Sequence, residues 1–208
     1  VDFLIETCAA RPGEVILCAM GPLTNVALAM IKDPGIVDNV GEIVLMGGAI
    51  GAGNVTPSAE FNIFANPAAA KFVLLSPATK TLVPLDVSNQ VVLTFDQFDR
   101  MRAQTESTLN KLLSELLPFS FRAYHEQMGL EGIRLNELVA LAVISQERLF
   151  QCEPNAIDVE VRGELTRGMT VCDRRGISQW QTNIEVVCDI DSQGVLDYMA
   201  ATVRRAAE

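Results

Sequence analysis

Residues Val44–Val73 read VLMGGAIGAGNVTPSAEFNIFANPAAAKFV and decide the fold class of the chain. The apolar run that ends at Gly48 predicts a buried strand, and a polar loop rich in small residues follows it. Asn66 and Pro67 are typical of a helix start, asparagine as the cap and proline at the first helical position, and predict a helix over Ala68–Leu75. A strand, a loop and a helix in this order indicate an α/β protein.

Two further apolar runs predict strands of the same kind. They are Glu14–Met20, followed by a helical segment at Leu23–Ile31, and Thr81–Val87, which carries Asp86 near its end; Glu42–Gly48 is the strand between them. Strands that are apolar almost throughout and alternate with helices are typical of parallel sheets. We therefore predict an open, mostly parallel α/β sheet with helices on both faces.

The second half of the chain is mainly helical in pattern. Leucines recur at spacings of three and four within Asp96–Gln127, which predicts a helix with a buried face. Pro118 is expected to end or kink this helix. The segment that follows it, Phe119–Met128, places Tyr124 and Met128 on one helical face because they are four residues apart.

The remaining elements complete one domain, 1–208. The segment Glu137–Ser145 is apolar all round and predicts a core helix. Three short strand candidates, IDVEVRG, MTVCDRR and TNIEVVCDI, predict a short β meander or hairpin near the C-terminus, and Gly194–Ala206 predicts a final helix. The sequence contains no linker, repeat or low-complexity stretch that would divide it.

The composition excludes several classes of protein. The net charge is −10, from 16 basic and 26 acidic residues, which argues against a nucleic-acid binder because duplex binding depends on clustered Lys and Arg. No apolar run reaches about 18 residues, so no membrane span is expected. The N-terminus has no signal-peptide pattern. The five cysteines lack CxxC spacing and lie mostly in apolar runs, which predicts buried, reduced thiols in a cytoplasmic protein.

The loop after the second strand holds three polar side chains, Asn54, Glu60 and Asn62. A carboxylate flanked by two carboxamides can bind vicinal hydroxyls; the alternative is that these are ordinary loop residues. The glycines of Gly47–Gly53 are not a dinucleotide fingerprint, because that motif turns directly into a helix. His125 is the only histidine and no elbow motif accompanies it, which excludes a catalytic triad.

The segment MGGAIGAGNVTPSAEFNIFANPAAA, together with GPLTNVALAM, PLDVSNQ and RGELTRGMTVCDRRG, closely resembles the inosine-uridine preferring nucleoside hydrolases. The resemblance extends over essentially the whole chain but matches only about the C-terminal two-thirds of a typical family member. It implies a nucleoside-hydrolase-like fold and hydrolysis of the N-glycosidic bond of ribonucleosides to ribose and free base. It also implies a bound Ca²⁺ that holds the ribose hydroxyls and the attacking water.

The same resemblance implies roles for individual residues. Those that match substrate-binding positions are Asn54, Glu60, Asn62, Met46, Tyr124 and Met128. The two asparagines and the glutamate would bind ribose, with Met46 at the edge of the sugar. Tyr124 and Met128 lie on the helix that lines the base pocket, although core packing is an equal alternative for Tyr124. The backbone carbonyl of Met20 matches a calcium ligand.

Two departures from the family pattern concern the metal and the chemistry. The aspartate-rich DxDPGxDD motif, which supplies calcium ligands and the general base, has no match in this sequence. The family's His-Asp pair is replaced by Leu135-Asn136. Leucine does no acid–base chemistry, and Asn136 offers at most one neutral oxygen, so it is a weak calcium ligand with a helix N-cap as its other role. We therefore expect this chain alone to bind Ca²⁺ poorly and to be catalytically impaired; a non-catalytic ribose- or nucleoside-binding or oligomer-forming homologue is the alternative.

The same resemblance places a missing strand in the middle of the sheet. Without it, the sheet would have an exposed edge or a gap, which invites aggregation unless it is covered. We therefore expect a homo-oligomer, a rearranged sheet or a companion chain that supplies the strand. The expected small-molecule partner is a ribonucleoside or ribose, with no nucleic acid and no membrane.

Overall fold

The computed structural model describes residues 1–102, 107–175 and 180–207. Its strands are β1 (Ile16–Ala19), β2 (Glu42–Met46), β3 (Lys80–Val83), β4 (Val92–Thr94), β5 (Gly132–Arg134), β6 (Phe150–Asn155), β7 (Ile157–Val159), β8 (Thr170–Cys172) and β9 (Ile184–Ile190). Its helices are α1 (Asp2–Ala10), α2 (Thr24–Lys32), α3 (Ile36–Asn39), α4 (Phe61–Ala65), α5 (Pro67–Leu74), α6 (Leu85–Ser88), α7 (Phe95–Arg102), α8 (Thr108–Met128), α9 (Asn136–Ser145) and α10 (Ser192–Ala207).

A mostly parallel sheet organises the chain. Its strand order is β1-β2-β3-β9-β6, in which the first four strands run parallel and β6 pairs antiparallel with β9. Side chains of successive residues alternate between two cores: Ile43 and Leu45 belong to one, and Val44 and Met46 to the other. Because both faces are buried, β2 is apolar at every position after Glu42, and the predicted sheet with helices on both faces is confirmed.

Two predictions about strands need correction, and one strand was not among the predictions. β3 ends at Val83 because Pro84 has no N–H to continue the ladder, so Asp86 lies in α6 and not in the strand. Of the three C-terminal candidates, two form the hairpin β7–β8, but the third is β9 in the main sheet, so they are not one meander. β6 has no counterpart among the predicted strands; it contains Pro154, which is tolerated because β6 is an edge strand.

The long helix also differs from its prediction. α8 continues through Pro118 and ends at Met128, with Gly129 at φ +65° as its C-cap; proline takes only its own N–H out of the helical hydrogen bonds. Residues 103–106 of the predicted helix lie outside the described residues. The leucine face is only partly buried, because Leu112 and Leu116 are exposed. In α9, Leu141 is likewise exposed, so this helix is not buried all round.

The outer strands are the least buried. β1 lies at one end of the sheet, and Ile16 on it is exposed, as expected for an uncovered edge; neighbouring strands of the sheet are all hydrogen-bonded, so it has no gap. Whether a second copy or another chain covers this edge stays a prediction.

Cys152 and Cys188, on β6 and β9, are exposed, which corrects the expectation of buried thiols. Among the described residues, no helix is long and apolar enough to cross a membrane.

Candidate functional site

The candidate site begins with a glycine turn at the carboxyl end of β2. The Gly47 N–H donates to the Val83 carbonyl at 3.1 Å, and the Leu85 N–H donates to the Gly48 carbonyl at 3.0 Å, so the turn is fixed to the end of β3. Gly48 has φ +75°, and a Cβ there would lie 2.7 Å from Thr170 Oγ1. Only glycine combines this backbone conformation with so close an approach of the β8 strand.

Glu60 is the buried charge of the site and is 2% exposed. Its Oε2 accepts hydrogen bonds from the N–H groups of Gly48 at 3.0 Å and Ile63 at 3.2 Å, and its Oε1 accepts one from Asn62 N–H at 2.9 Å. Glu60 is therefore the N-cap of α4 and also ties the glycine turn to that helix. Burial raises the pKa of Glu60, although the three backbone N–H groups lower it.

Asn62 connects Glu60 to the last residue of β2. Its Nδ2 donates to the Met46 carbonyl at 3.0 Å and lies 3.4 Å from the Met46 sulfur. These contacts use the amide nitrogen, and within the described part of the chain the Oδ1 of Asn62 has no hydrogen-bond partner. A carboxamide oxygen beside a buried carboxylate remains available to a hydroxyl donor.

Asn54 completes the predicted trio from a more exposed position. Its Oδ1 accepts a hydrogen bond from the Phe61 N–H at 2.9 Å, and Phe61 directly follows Glu60 in the chain. The intervening loop is closed by backbone bonds from Gly53 N–H to Pro57 and from Asn54 N–H to Ala59. The three residues do come together as the sequence suggested, but much of their bonding capacity holds their own loop in place. Local backbone support of this kind pre-organises the loop.

Asp86 and Thr170 hold this loop, and the sequence did not predict a site role for either residue. The Asp86 carboxylate accepts from Ile50 N–H at 2.7 Å and Gly51 N–H at 2.8 Å, and Thr170 Oγ1 accepts from Ala49 N–H at 3.4 Å. An aspartate just after a strand was the available signal for Asp86. Thr170 had none, because β8 reaches the loop only through the tertiary fold.

Leu135 and Asn136, which the resemblance matches to the family's His-Asp pair, lie at the start of α9. Leu135 is the N-cap, its carbonyl accepting from Val139 N–H at 3.2 Å, so the predicted cap role of Asn136 is wrong. The helix starts at Asn136, one residue earlier than a cap at this position would require, so Asn136 lies in the first turn and its side chain makes no capping hydrogen bond. Asn136 Oδ1 is buried and has no hydrogen-bond partner. The Glu137 carboxylate contributes to the raised pKa of Glu60, so this helix end lies within electrostatic reach of the site.

The other predicted site residues are less closely joined to Glu60. Met46 belongs to one of the two cores, and Tyr124 packs against that same core, whereas Met128 is 55% exposed. Met20 follows β1 and is 43% exposed. Across residues 1–102, 107–175 and 180–207, no hydrogen bond or core cluster joins Met20 or Met128 to Glu60 or Asn62. His125, with Nδ1 3.3 Å from Glu131 Oε1, is an exposed surface residue.

The donor set does not fit Ca²⁺ within the described residues. They contain no group of three or more His, Cys, Asp or Glu side chains that could hold a metal ion. The unpartnered Asn136 Oδ1 could supply one neutral oxygen, but calcium affinity depends on the number of charged ligands. The described residues therefore do not form a calcium site by themselves.

Comparison with known proteins places these features in a family. The model of the inosine-uridine preferring nucleoside hydrolases matches residues 1–197. The chain is 36% identical over 192 residues to the pyrimidine-specific ribonucleoside hydrolase RihB of Escherichia coli O157:H7, covering 92% of this chain and 61% of that protein. It is 39% identical over 205 residues to the pyrimidine-specific ribonucleoside hydrolase RihA of Shewanella woodyi, covering 98% of this chain and 65% of that protein.

Solved structures show the same relationship. A purine-preferring ribonucleoside hydrolase from Gardnerella vaginalis superposes with a TM-score of 0.91 at 31% identity, covering 99% of this chain and 65% of that one. A plant nucleoside hydrolase gives a TM-score of 0.91 at 26% identity, covering 97% and 65%. The chain thus spans less than two thirds of the length of these four relatives. It belongs to the family of inosine-uridine preferring nucleoside hydrolases.

Proposed function

We propose that this chain serves the hydrolysis of the N-glycosidic bond of ribonucleosides, which yields ribose and a free base. The family match over residues 1–197 carries this proposal. It is supported by a buried carboxylate and two carboxamides at the carboxyl ends of parallel strands, where ligands bind in open α/β sheets. Asn54, Glu60 and Asn62 would grip the ribose hydroxyls, and Met46 would line the edge of the sugar.

We further propose that the base lies toward α8. Tyr124 is half-buried there and Met128 is exposed in the last turn. An aromatic ring and a thioether are both suited to contact a planar base. The opposing interpretation, core packing, applies more strongly to Tyr124, which packs against the core that contains Met46. If both residues contact the base, each of the variants Tyr124→Phe and Met128→Ala should change the KM for uridine by a different factor from the KM for inosine.

Nucleoside hydrolases generally use a metal ion, and we propose Ca²⁺ as the ion for a complete site. Bound there, a hard cation would orient the sugar and acidify the attacking water. This chain would contribute neutral oxygens only, from Asn136 and from the Met20 carbonyl. Any carboxylate ligands would have to come from outside the described residues.

We propose that the chain by itself turns over nucleosides slowly, because Leu135 and Asn136 stand where acid–base and anionic groups are needed. Release of reducing sugar from inosine and uridine, with Ca²⁺ added, measures this directly. Leu135→His/Asn136→Asp should be faster than the parent chain. The matched control, Leu28→His/Asn25→Asp on the exposed side of α2, should not be. Family-like turnover by the parent chain would overturn the proposal.

A second candidate is a nucleoside- or ribose-binding protein without hydrolysis. The observation that favours it is the pre-organised loop of Asn54, Glu60 and Asn62 beside the Leu135-Asn136 replacement. Calorimetric titration of ribose with and without Ca²⁺ separates the two candidates. Metal-dependent binding favours the hydrolase, and weak metal-independent binding favours the second function.

Assembly and location are also proposed. The exposed β1 edge supports a homo-oligomer or a companion chain that pairs with it, which sedimentation analysis of the purified chain would test. The cysteines are free thiols, which supports a reducing compartment such as the cytoplasm.

A further inference from the structure

A cavity of about 690 Å³ lies at the amino ends of β3 and β9, the opposite end of the sheet from Glu60. One wall is the loop from Leu75 to Ala78 with Lys80, the first residue of β3, and another is the segment from Trp180 to Asn183 that leads into β9. Ala156, Ile157 and Asp158 close the cavity from the side of the β7 hairpin. None of these residues belongs to the candidate nucleoside site.

Lys80 is a buried cation without an ion-pair partner among the described residues. It is 3% exposed, and its amine donates to the carbonyls of Ser76 and, at 2.8 Å, Ala78. Buried ammonium groups are normally paired with carboxylates, because carbonyl dipoles only partly replace lost hydration. Burial lowers the pKa of Lys80 to about 8. An ammonium has three N–H donors, of which two are used here.

The acidic residue in the cavity wall does not neutralise Lys80. Both carboxylate oxygens of Asp158 lie 2.6 Å from the Lys71 amine, and one of them also accepts from Val159 N–H at 2.7 Å. The Asn183 carboxamide is similarly occupied, by Leu74 and by both backbone groups of Ile157. Lys80 is thus a cation that lines the cavity with one N–H donor left, while Asp158 and Asn183 in the same lining are already bonded to other groups.

We propose that this cavity binds a small oxyanion, a carboxylate or a phosphate, on the Lys80 amine. A charge-assisted hydrogen bond to the third N–H would give the buried cation its counter-charge. Trp180, 47% exposed, also lines the cavity, and its indole would offer an apolar surface to whatever carries the anion. The site is independent of the proposed nucleoside hydrolysis, because it is formed at the other end of the strands by different residues.

Trp180 is the only tryptophan of the chain and therefore reports on the cavity directly. Its fluorescence would be followed while inorganic phosphate, acetate or benzoate is titrated at constant ionic strength, with chloride as the reference anion. We expect a saturable change with at least one oxyanion. Benzoate binding more tightly than acetate would identify a ring-bearing carboxylate, and phosphate binding most tightly would identify a phosphate.

Lys80→Met removes the charge with little change in side-chain volume and should weaken the oxyanion by about tenfold or more, the loss of one charge-assisted hydrogen bond. The matched control is Lys32→Met, because Lys32 pairs with Asp2 on the surface and does not line the cavity. If Lys80→Met does not fold, acetylation of the parent chain by acetic anhydride gives the same answer. The bound oxyanion should protect Lys80 and leave labelling of Lys32 and Lys111 unchanged.

Two results would overturn the inference. One is the absence of any saturable, oxyanion-specific change in Trp180 fluorescence. The other is an equal change in the parent chain and in Lys80→Met, or protection of Lys32 and Lys111 together with Lys80, which would place the anion elsewhere. Neither readout uses nucleoside hydrolysis, so failure here is separate from failure of the proposed function.

Discussion

The two ends of the central sheet each hold a buried charge supported by the main chain. At the carboxyl end, Glu60 accepts hydrogen bonds from three backbone N–H groups, and at the amino end Lys80 donates to two backbone carbonyls. In both cases burial shifts the pKa toward the neutral form, upward for Glu60 and downward for Lys80. The carboxylate joins a turn to a helix with three of its roughly four acceptor sites, and the ammonium keeps one of its three donors beside a cavity. A charge held by backbone dipoles can therefore stabilise the fold and still keep one bond for a ligand.

Removing the carboxylate should produce the largest effect on stability. Glu60→Ala removes the N-cap of α4 and leaves the N–H groups of Gly48, Asn62 and Ile63 without their acceptor, so we expect a loss of about 3 kcal/mol in the free energy of unfolding. Urea denaturation measures it. Glu137→Ala removes an exposed carboxylate nearby and should change stability by no more than about 0.5 kcal/mol. Similar losses of unfolding free energy in both variants would show that Glu60 does not stabilise the fold by joining the glycine turn to α4.

Replacing Lys80 should change stability in the opposite direction to Glu60→Ala, because it should raise the free energy of unfolding. Below about pH 8 the Lys80 amine is charged in both states and the folded state bears the whole burial penalty. Between about 8 and its ordinary value of 10.5, only the unfolded chain keeps the proton, so the folded state gains stability as pH rises. In a buffer without oxyanions, Lys80→Met should be about 2 kcal/mol more stable than the parent at pH 7.

The difference between Lys80→Met and the parent chain should shrink as pH rises through that window. Urea denaturation at several pH values would follow it. Lys32→Met, which removes an exposed amine, should show no comparable trend. A pH-independent difference would mean that Lys80 is not held with a lowered pKa.

The glycine turn tests how tightly the carboxyl end is built. Gly48→Ala puts a Cβ in a left-handed conformation and 2.7 Å from Thr170 Oγ1, so we expect a loss of about 2 kcal/mol. Gly129 has a similar φ, but a Cβ there would have no atom within 4 Å. Gly129→Ala should therefore lower the free energy of unfolding by about 1 kcal/mol. Thermal melts of both variants compare strain alone with strain plus contact. Equal losses would indicate that Thr170 moves aside freely.

Two asparagines at helix starts give the smallest expected effects. Asn66 caps α5, because its Oδ1 accepts a hydrogen bond from the Ala69 N–H at 3.1 Å. Asn66→Ala should therefore lower the free energy of unfolding by about 1 kcal/mol. Asn136 caps nothing and its buried Oδ1 has no partner, so Asn136→Ala should be neutral or slightly stabilising. Chemical denaturation of the pair measures both. A clear loss for Asn136→Ala would show that this oxygen has a partner, such as a bound water, in solution.

Local chemistry explains which features were predictable. The cap and first turn of α5 follow from Asn66-Pro67, because both residues act on their immediate neighbours. β2 follows from its continuous apolar run, which only a strand buried on both faces requires. β6 could not be predicted in this way, because a strand with a proline is tolerated at a sheet edge, and whether a strand lies at an edge depends on the tertiary fold. The same local reasoning that predicts the cap at Asn66 fails at Asn136, because α9 begins one residue earlier, with Leu135 as its N-cap.

The sequence by itself determined the fold class, the family and the loop that carries Asn54, Glu60 and Asn62, because apolar patterning and a long specific motif are properties of neighbouring residues. Only the tertiary structure decided what the polar groups of that loop contact. It also decided that Asp86 and Thr170 hold the loop, and that Lys80 lies buried beside a cavity at the far end of the sheet. The physical reason is that hydrogen-bond satisfaction and burial depend on residues far apart in the chain, which only packing brings together.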